Sequence, residues 1–320
     1  MGFNWTAQLQ KALERRYGLE PRLRDETQIG RYFAGRADGL DGVIVDAFGA
    51  LVVLTIYNPA IVADAEQFLK GTQNLFGAGR FVIGKIRSSG GGFLYLDPCG
   101  VLGKKWIAQE DDCLFETRAD DKNDFGLFPD ARAARLALRP LVAPESVVLN
   151  LFSYTCGFAV VAQKQGAKAS INVDANPEML TWGKRNADLN GVDFSVVPEL
   201  AQKYLARLER RVEEGKLVCP DIWVCDPPAF GVGRGPQRVL KHFWDAFWGS
   251  VERLSPRALV ILRNDRTGYR EGHTLARELD ALLGGSYDLR GCSFADCPSL
   301  CYEVPDAFYK LNESLVLLRR

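Results

Sequence analysis

Residues 146–160 read SVVLNLFSYTCGFAV, and the turn inside this stretch decides the fold. Val147, Val148, Leu149 and Leu151 form an apolar run with little alternation, the pattern of a parallel strand covered on both faces. After Phe152 the chain turns polar at Ser153, passes Tyr154, Thr155, Cys156 and Gly157, and resumes as the helical GFAVVAQKQGA. A strand, a tight turn and a helix N-terminus present main-chain N–H groups to a charged small molecule. The same pattern also serves as a plain strand–helix connection.

Working outward, the alternation repeats. KASINVD (168–174) leads to PEMLTWGKRNADLN (177–190), and FSVV (194–197) leads to AQKYLARLERRVEEG (201–215). DIWVCD (221–226) leads, after a glycine-rich loop, to QRVLKHFWDAFWGSVERL (237–254), and ALVILRN (258–264) leads to HTLARELDALLGG (273–285). Strand–helix units in series imply a parallel, doubly wound sheet. Two last β runs, YDLRGCSF (287–294) and ESLVLLRR (313–320), add an antiparallel edge hairpin. The expected catalytic region, 111–320, is therefore a Rossmann-like α/β sheet of seven strands.

Residues 1–110 read as a smaller mixed α/β domain. NWTAQLQKALERRYG (4–18) and IVADAEQFLKGTQNLFG (61–77) carry helical periodicity. GVIVDAFG (42–49), LVVLTIY (51–57), FVIGKIR (81–87) and FLYLDP (93–98) are β-rich, with Gly90–Gly92 as the turn between the last two.

The 320 residues, 47% hydrophobic and 25% charged, have the composition of a globular protein. Forty basic and forty acidic residues cancel, so no global field recruits nucleic acid, although a local basic patch from Arg132, Arg135, Arg139, Arg234, Arg238 and Lys241 would. There is no apolar run of membrane-spanning length and no export signal, which predicts a cytoplasmic protein with no membrane partner. The eight cysteines form no CxxC pair and histidine is nearly absent, so reduced thiols are expected and no metal site.

Asp174 ends the second strand, where a doubly wound fold places an acid against the two ribose hydroxyls of a nucleoside. It could instead cap the next helix, although Asn176 beside Pro177 is an equally good cap. The first loop has only Gly157 and lacks the G-x-G-x-x-G fingerprint, which makes NAD a poor fit. The fourth strand ends in Asp226-Pro227-Pro228-Ala229-Phe230. Two prolines stiffen the exit and hold Asp226 at the carboxyl edge, with Phe230 available to stack on a planar acceptor.

These stretches resemble the class I S-adenosylmethionine-dependent methyltransferases, and within them the large-subunit ribosomal RNA enzymes that include the 5-methylcytosine type. The resemblance is carried by GLFPDARAAR (126–135), VLNLFSYTCGFAV (148–160), VDANPEMLTWGKRNADLNG (173–191) and DPPAF (226–230). TQIGRYFAGRADGLDGVIVDAFG (27–49) resembles that family's central domain. The resemblance implies an S-adenosylmethionine cofactor and an RNA acceptor. It places Phe128 and Arg132 at the methionine end, Asn150, Phe152, Ser153, Tyr154, Thr155 and Gly157 in and under the first loop, and Asp174 on the ribose. Ala175 and Asn176 lie beside the base, with Glu199 and Leu200 at the third strand end. Asp226, Pro227 and Phe230 would sit by the transferred methyl.

The departures from the family pattern are specific. The small N-terminal RNA-binding domain has no counterpart in the sequence, and Cys156 stands at a glycine-like position. Leu200, beside Glu199, replaces an acid. LRNDRTG (262–268) carries no cysteine where the cytosine-5 enzymes have a nucleophile. Carbon 5 of cytosine needs covalent activation, so N- or O-methylation is expected, with Cys225 a packed residue. A small molecule or a protein is the alternative acceptor, and a non-catalytic S-adenosylmethionine-binding or RNA-associated module the alternative role.

Overall fold

The computed structural model describes residues 4–87, 92–119, 125–227, 234–263, 287–292 and 313–319. The chain divides into two compact units with the break after Asp130. The expected division at 110 falls inside a hairpin that belongs to the first unit, β6 (Lys105–Glu110) with β7 (Cys113–Arg118).

The first unit holds a five-stranded sheet in the order β1-β2-β3-β4-β5, formed by Ile29–Ala34, Val43–Phe48, Leu51–Ile56, Phe81–Arg87 and Phe93–Leu96. Neighbours are antiparallel except β3 and β4, which run parallel because helix α2 (Ala65–Phe76) crosses between them. Helix α1 (Trp5–Leu19) starts at Asn4, whose side chain accepts from the Ala7 N–H. Trp5 anchors α1: its Nε1 donates to Thr72 Oγ1 at 3.0 Å, and its ring meets the edges of Phe33 and Phe68. Gly71 permits this approach, since a Cβ there would lie 2.7 Å from Trp5 Cδ1. β1, β6 and β7 carry Arg31, Lys105, Gln109, Glu110 and Glu116 among their apolar residues, so their sequences lack a clean period-2 signal.

In the second unit seven described strands form one sheet, ordered β10-β9-β8-β11-β12-β14-β13. They are β8 (Val147–Leu151), β9 (Ala169–Asp174), β10 (Ser195–Pro198), β11 (Ile222–Cys225), β12 (Ala258–Arg263), β13 (Tyr287–Cys292) and β14 (Glu313–Arg319). The five from β8 to β12 are parallel, and β14 runs antiparallel to both β12 and β13. The expected closing pair is present, but β14 sits inside it and β13 forms the edge. SLVLL is a continuous apolar run suited to an inner strand, whereas YDLRGC is interrupted by Asp288, Arg290 and Gly291. The predicted helix over 273–285 lies outside the described residues.

Helices cover both faces. Leu149, Leu151, Trp223, Leu259 and Ile261 pack with α6 (Ala201–Glu213) and α7 (Arg234–Leu254). Val148, Ile222, Val224 and Val260 pack with α3 (Arg132–Leu138) and α4 (Gly157–Lys164). The chain winds outward from β8 to β10 and then returns to β11 on the other side. This switch leaves a crevice at the carboxyl ends of β8, β9 and β11, where ligands of open α/β sheets bind.

Candidate active site

The loop from Phe152 to Cys156 holds three of the five non-glycine residues with positive φ among the described residues. Phe152, Tyr154 and Cys156 have φ of 56°, 48° and 61°, three left-handed residues alternating with Ser153 and Thr155. Each costs about 1–3 kcal/mol for a side chain other than glycine, so the surroundings must hold them there. They do so from several sides. Ser153 N–H donates to Val173 O at 3.0 Å, and Cys156 N–H to Ser153 O at 2.7 Å. The Phe152 ring meets Phe243 of α7 edge-on at 4.8 Å, while Tyr154 contacts Trp182 of α5 (Pro177–Asn190) at 6.4 Å. Asn186 of α5 donates to Thr155 O at 3.0 Å, and Gly183 brings α5 against Cys156.

Asp174 ties this loop to the second strand. Its Oδ2 accepts from Tyr154 N–H and its Oδ1 from Asn176 N–H, both at 2.9 Å. The helix cap belongs instead to Asn176, whose Oδ1 accepts from Glu178 N–H at 3.0 Å at the start of α5. The cap alternative for Asp174 is therefore set aside. Each carboxylate oxygen is aimed by one main-chain donor and retains a lone pair for another hydrogen bond.

Asn150 does not reach the crevice surface. It is fully buried, and its Nδ2 donates to Asn172 Oδ1 at 2.9 Å, while Asn172 donates to Ser195 O at 3.2 Å. This amide ladder crosses β8, β9 and β10 beneath the loop. Asn172, Gly183 and Asn186 were missed by sequence reasoning, because inside a strand or helix they carry no pattern of their own. Ser153, Thr155 and Gly157 are buried, and Ala175 and Asn176 are exposed.

At β11, Asp226 N–H donates to Leu151 O at 3.4 Å, which sets Asp226 beside the root of the first loop. Asp226 is half-buried and Pro227 buried; Phe230 lies outside the described residues. Cys225 is fully buried, and burial, with Asp226 adding to it, pushes its thiol well above the ordinary range. Burial pushes the Cys156 thiol up to about 12. Both are neutral packed thiols at physiological pH. Glu199 pairs with Arg207 at 2.7 Å, and Leu200 is half exposed. Phe128, also half exposed, belongs to the first unit, whereas Arg132 opens α3 of the second. Of the suggested basic patch, Arg132 and Arg135 are buried, and the side chains of Arg234, Arg238 and Lys241 are not described. Among the described residues no cluster of His, Cys, Asp and Glu is arranged to hold a metal.

A carboxylate fixed by main-chain donors at the end of β9, next to a buried-polar loop and a helix start, fits a nucleoside's paired ribose hydroxyls. Residues 100–240 match the family model described as S-adenosylmethionine-dependent methyltransferase. Ribosomal RNA large subunit methyltransferase I of Klebsiella pneumoniae (strain 342) is 31% identical over 247 residues, covering 74% of this chain and 60% of that one. The chain thus spans 60% of the length of that curated relative. A methyltransferase solved in complex with S-adenosylhomocysteine superposes with a TM-score of 0.77 at 19% identity, covering 99% of this chain and 82% of that chain. The S-adenosylmethionine-dependent methyltransferase of Agrobacterium tumefaciens gives 0.64 at 21% identity, with 92% and 90% covered. These two likenesses are of fold. Over residues 100–240 the chain is thus similar to the S-adenosylmethionine-dependent methyltransferases. The expected class, Rossmann-like fold and cofactor are borne out.

Proposed function

We propose that this protein methylates RNA, ribosomal RNA in the first place, at a nitrogen or oxygen and without a covalent enzyme–base bond. The observation that carries the reading is the Asp174 carboxylate, held by Tyr154 and Asn176 N–H groups and relieved of capping by Asn176. The similarity to a ribosomal RNA methyltransferase supports the acceptor class.

In this reading Asp174 accepts from both ribose hydroxyls, and the Ser153–Gly157 turn lies against the amino-acid end. Arg132 keeps the methionine-end role that the family resemblance implies. When bound, the cofactor supplies a methyl group on a sulfonium that is its own leaving group, so the protein's task is chiefly alignment. Asp226, stiffened by Pro227, accepts a hydrogen bond from the acceptor N–H or O–H, directs its lone pair and takes up its proton. The neutral, buried thiols of Cys156 and Cys225 support a reaction without a thiolate nucleophile. An acceptor on the ribosome would place the protein in the cytoplasm.

The test is calorimetric titration of S-adenosylmethionine into wild type and Asp174→Ala, with tritium transfer to RNA, protein and metabolite fractions. We expect micromolar binding, about −7 to −9 kcal/mol. The loss for Asp174→Ala is about 1.5–3 kcal/mol, because two hydroxyls lose a charged acceptor. Label should enter RNA. NAD binding without S-adenosylmethionine binding would overturn the assignment, and label in metabolites alone would overturn the acceptor.

A further inference from the structure

We infer that this chain holds the base of its nucleoside cofactor without reading the 6-amino group, Leu200 giving an apolar contact in place of an acceptor. This rests on the S-adenosylmethionine reading above. β10 is the edge strand, and Pro198 pairs in register with Asp174. Glu199 N–H donates to Asp174 O at 3.1 Å, which sets residues 199 and 200 immediately beside the proposed ribose acceptor. A base extending from that ribose away from β8 therefore meets this strand end.

Three features there disfavour recognition of an amine. The carboxylate of Glu199 is turned to α6, where Arg207 Nη2 holds its Oε2 at 2.7 Å and Nε approaches the same oxygen at 3.3 Å. Leu200 is 50% exposed, a large apolar side chain left in solvent at the rim of the crevice. It occupies the N-cap of α6 and supplies no side-chain hydrogen bond, so the first N–H groups of that helix are donors without a capping acceptor. Ala175, on the neighbouring strand end, is exposed and apolar. The rim thus offers apolar surface and N–H donors. An exocyclic amine is itself a donor and gains nothing from them. A purine face gains from covering Leu200, and ring nitrogens, being acceptors, suit the N–H groups.

A site built to bond a particular polar group rejects an analogue lacking it by large factors, about 10⁴ or more, whereas an apolar wall discriminates weakly. The test compares, by calorimetry, binding of S-adenosylhomocysteine and of its purine-riboside analogue, in which hydrogen replaces the 6-amino group and N1 remains an acceptor. Wild type should bind the two within about tenfold, consistent with an apolar contact. Leu200→Asp, which puts an acceptor at this position, should widen the preference for the adenosyl compound beyond about a hundredfold. Wild-type preference for the adenosyl compound above tenfold would overturn the inference and leave the cofactor reading intact. Failure of wild type to bind either compound would overturn both.

Discussion

The two units bury polar groups of opposite kinds. Among the described residues of the first unit the buried set includes Arg16, Arg31, Asp38, Arg80, Lys85, Glu110 and Glu116. In the second unit it is mostly neutral: Asn150, Asn172, Asn186, Ser153, Thr155, Ser146, Ser170 and Ser250, with Arg132 and Arg135 the only buried charges described. Buried charges require partners, and in the first unit they are found in ion pairs such as Arg31 with Asp46 at 2.7 Å. Neutral amides and hydroxyls can hold main-chain groups in place without adding a field of their own. The carboxylates at the strand ends then act on a ligand with less competition from beneath. The first unit's polar interior fixes architecture; the second's supports a site.

The largest effect should separate these roles. Asp38 is buried against Arg16, which it meets at 2.6 and 3.1 Å, and it also accepts from Arg15 and Ala34 N–H. Asp38→Ala strands the Arg16 charge and should destabilise the protein by about 3–5 kcal/mol in urea denaturation. Adding Arg16→Met should restore part of that loss, since the uncompensated charge is gone. If Asp38→Ala left stability unchanged, the first unit's charges would not be architectural and the contrast would fail.

In the second unit the corresponding substitution should spare the fold and remove the function. Asp226→Ala is expected to reduce turnover by about 10²-fold or more with little change in melting temperature. Cys225→Ser, one residue earlier, should do the reverse: it places a hydroxyl in the apolar sheet at a cost of about 1–3 kcal/mol while methyl transfer persists. A covalent RNA adduct, or loss of transfer in the folded serine variant, would make Cys225 the nucleophile after all.

How much of this could be read from the chain follows the same division. The second unit's strands are short apolar runs punctuated by Gly, Pro and Asp, so the parallel sheet, its loops and the place of Asp174 and Asp226 were legible. The antiparallel partner of β13 was legible too, but not that β14 enters between β12 and β13, because pairing order depends on tertiary packing. In the first unit β1 and the β6–β7 hairpin were not, since paired charges interrupt the alternation that marks a strand. Within the site, the positions of Ser153, Thr155 and Gly157 were readable, whereas the supports Asn172, Gly183 and Asn186 were not. Their roles arise from contacts between segments far apart in sequence. Cys156 lies between these cases. Its departure from glycine was visible, and its φ of 61° shows that the backbone kept the glycine-like conformation while the side chain changed.

The smallest expected effect probes that support directly. Glycine to alanine inside a helix ordinarily gains about 0.5–1 kcal/mol. Gly183 should behave otherwise, because a Cβ there would lie 2.9 Å from Cys156 Cβ, nearer still to its Sγ, and 3.3 Å from the Thr155 carbonyl carbon. Backbone and a buried thiol cannot yield as a flexible side chain can, so Gly183→Ala should destabilise by about 1–2 kcal/mol through overpacking. It should also weaken S-adenosylhomocysteine binding, since Asn186, one turn along α5, holds Thr155 O and moves with the helix. Cys156→Gly removes the thiol and suits the left-handed φ. In the double variant more than half of the Gly183→Ala loss should return, a coupling that only neighbours sharing a contact display. Strictly additive effects, or a stabilising Gly183→Ala, would mean that α5 does not press on the loop and that the loop's three left-handed residues are held by the strand side and the Phe243 contact of α7.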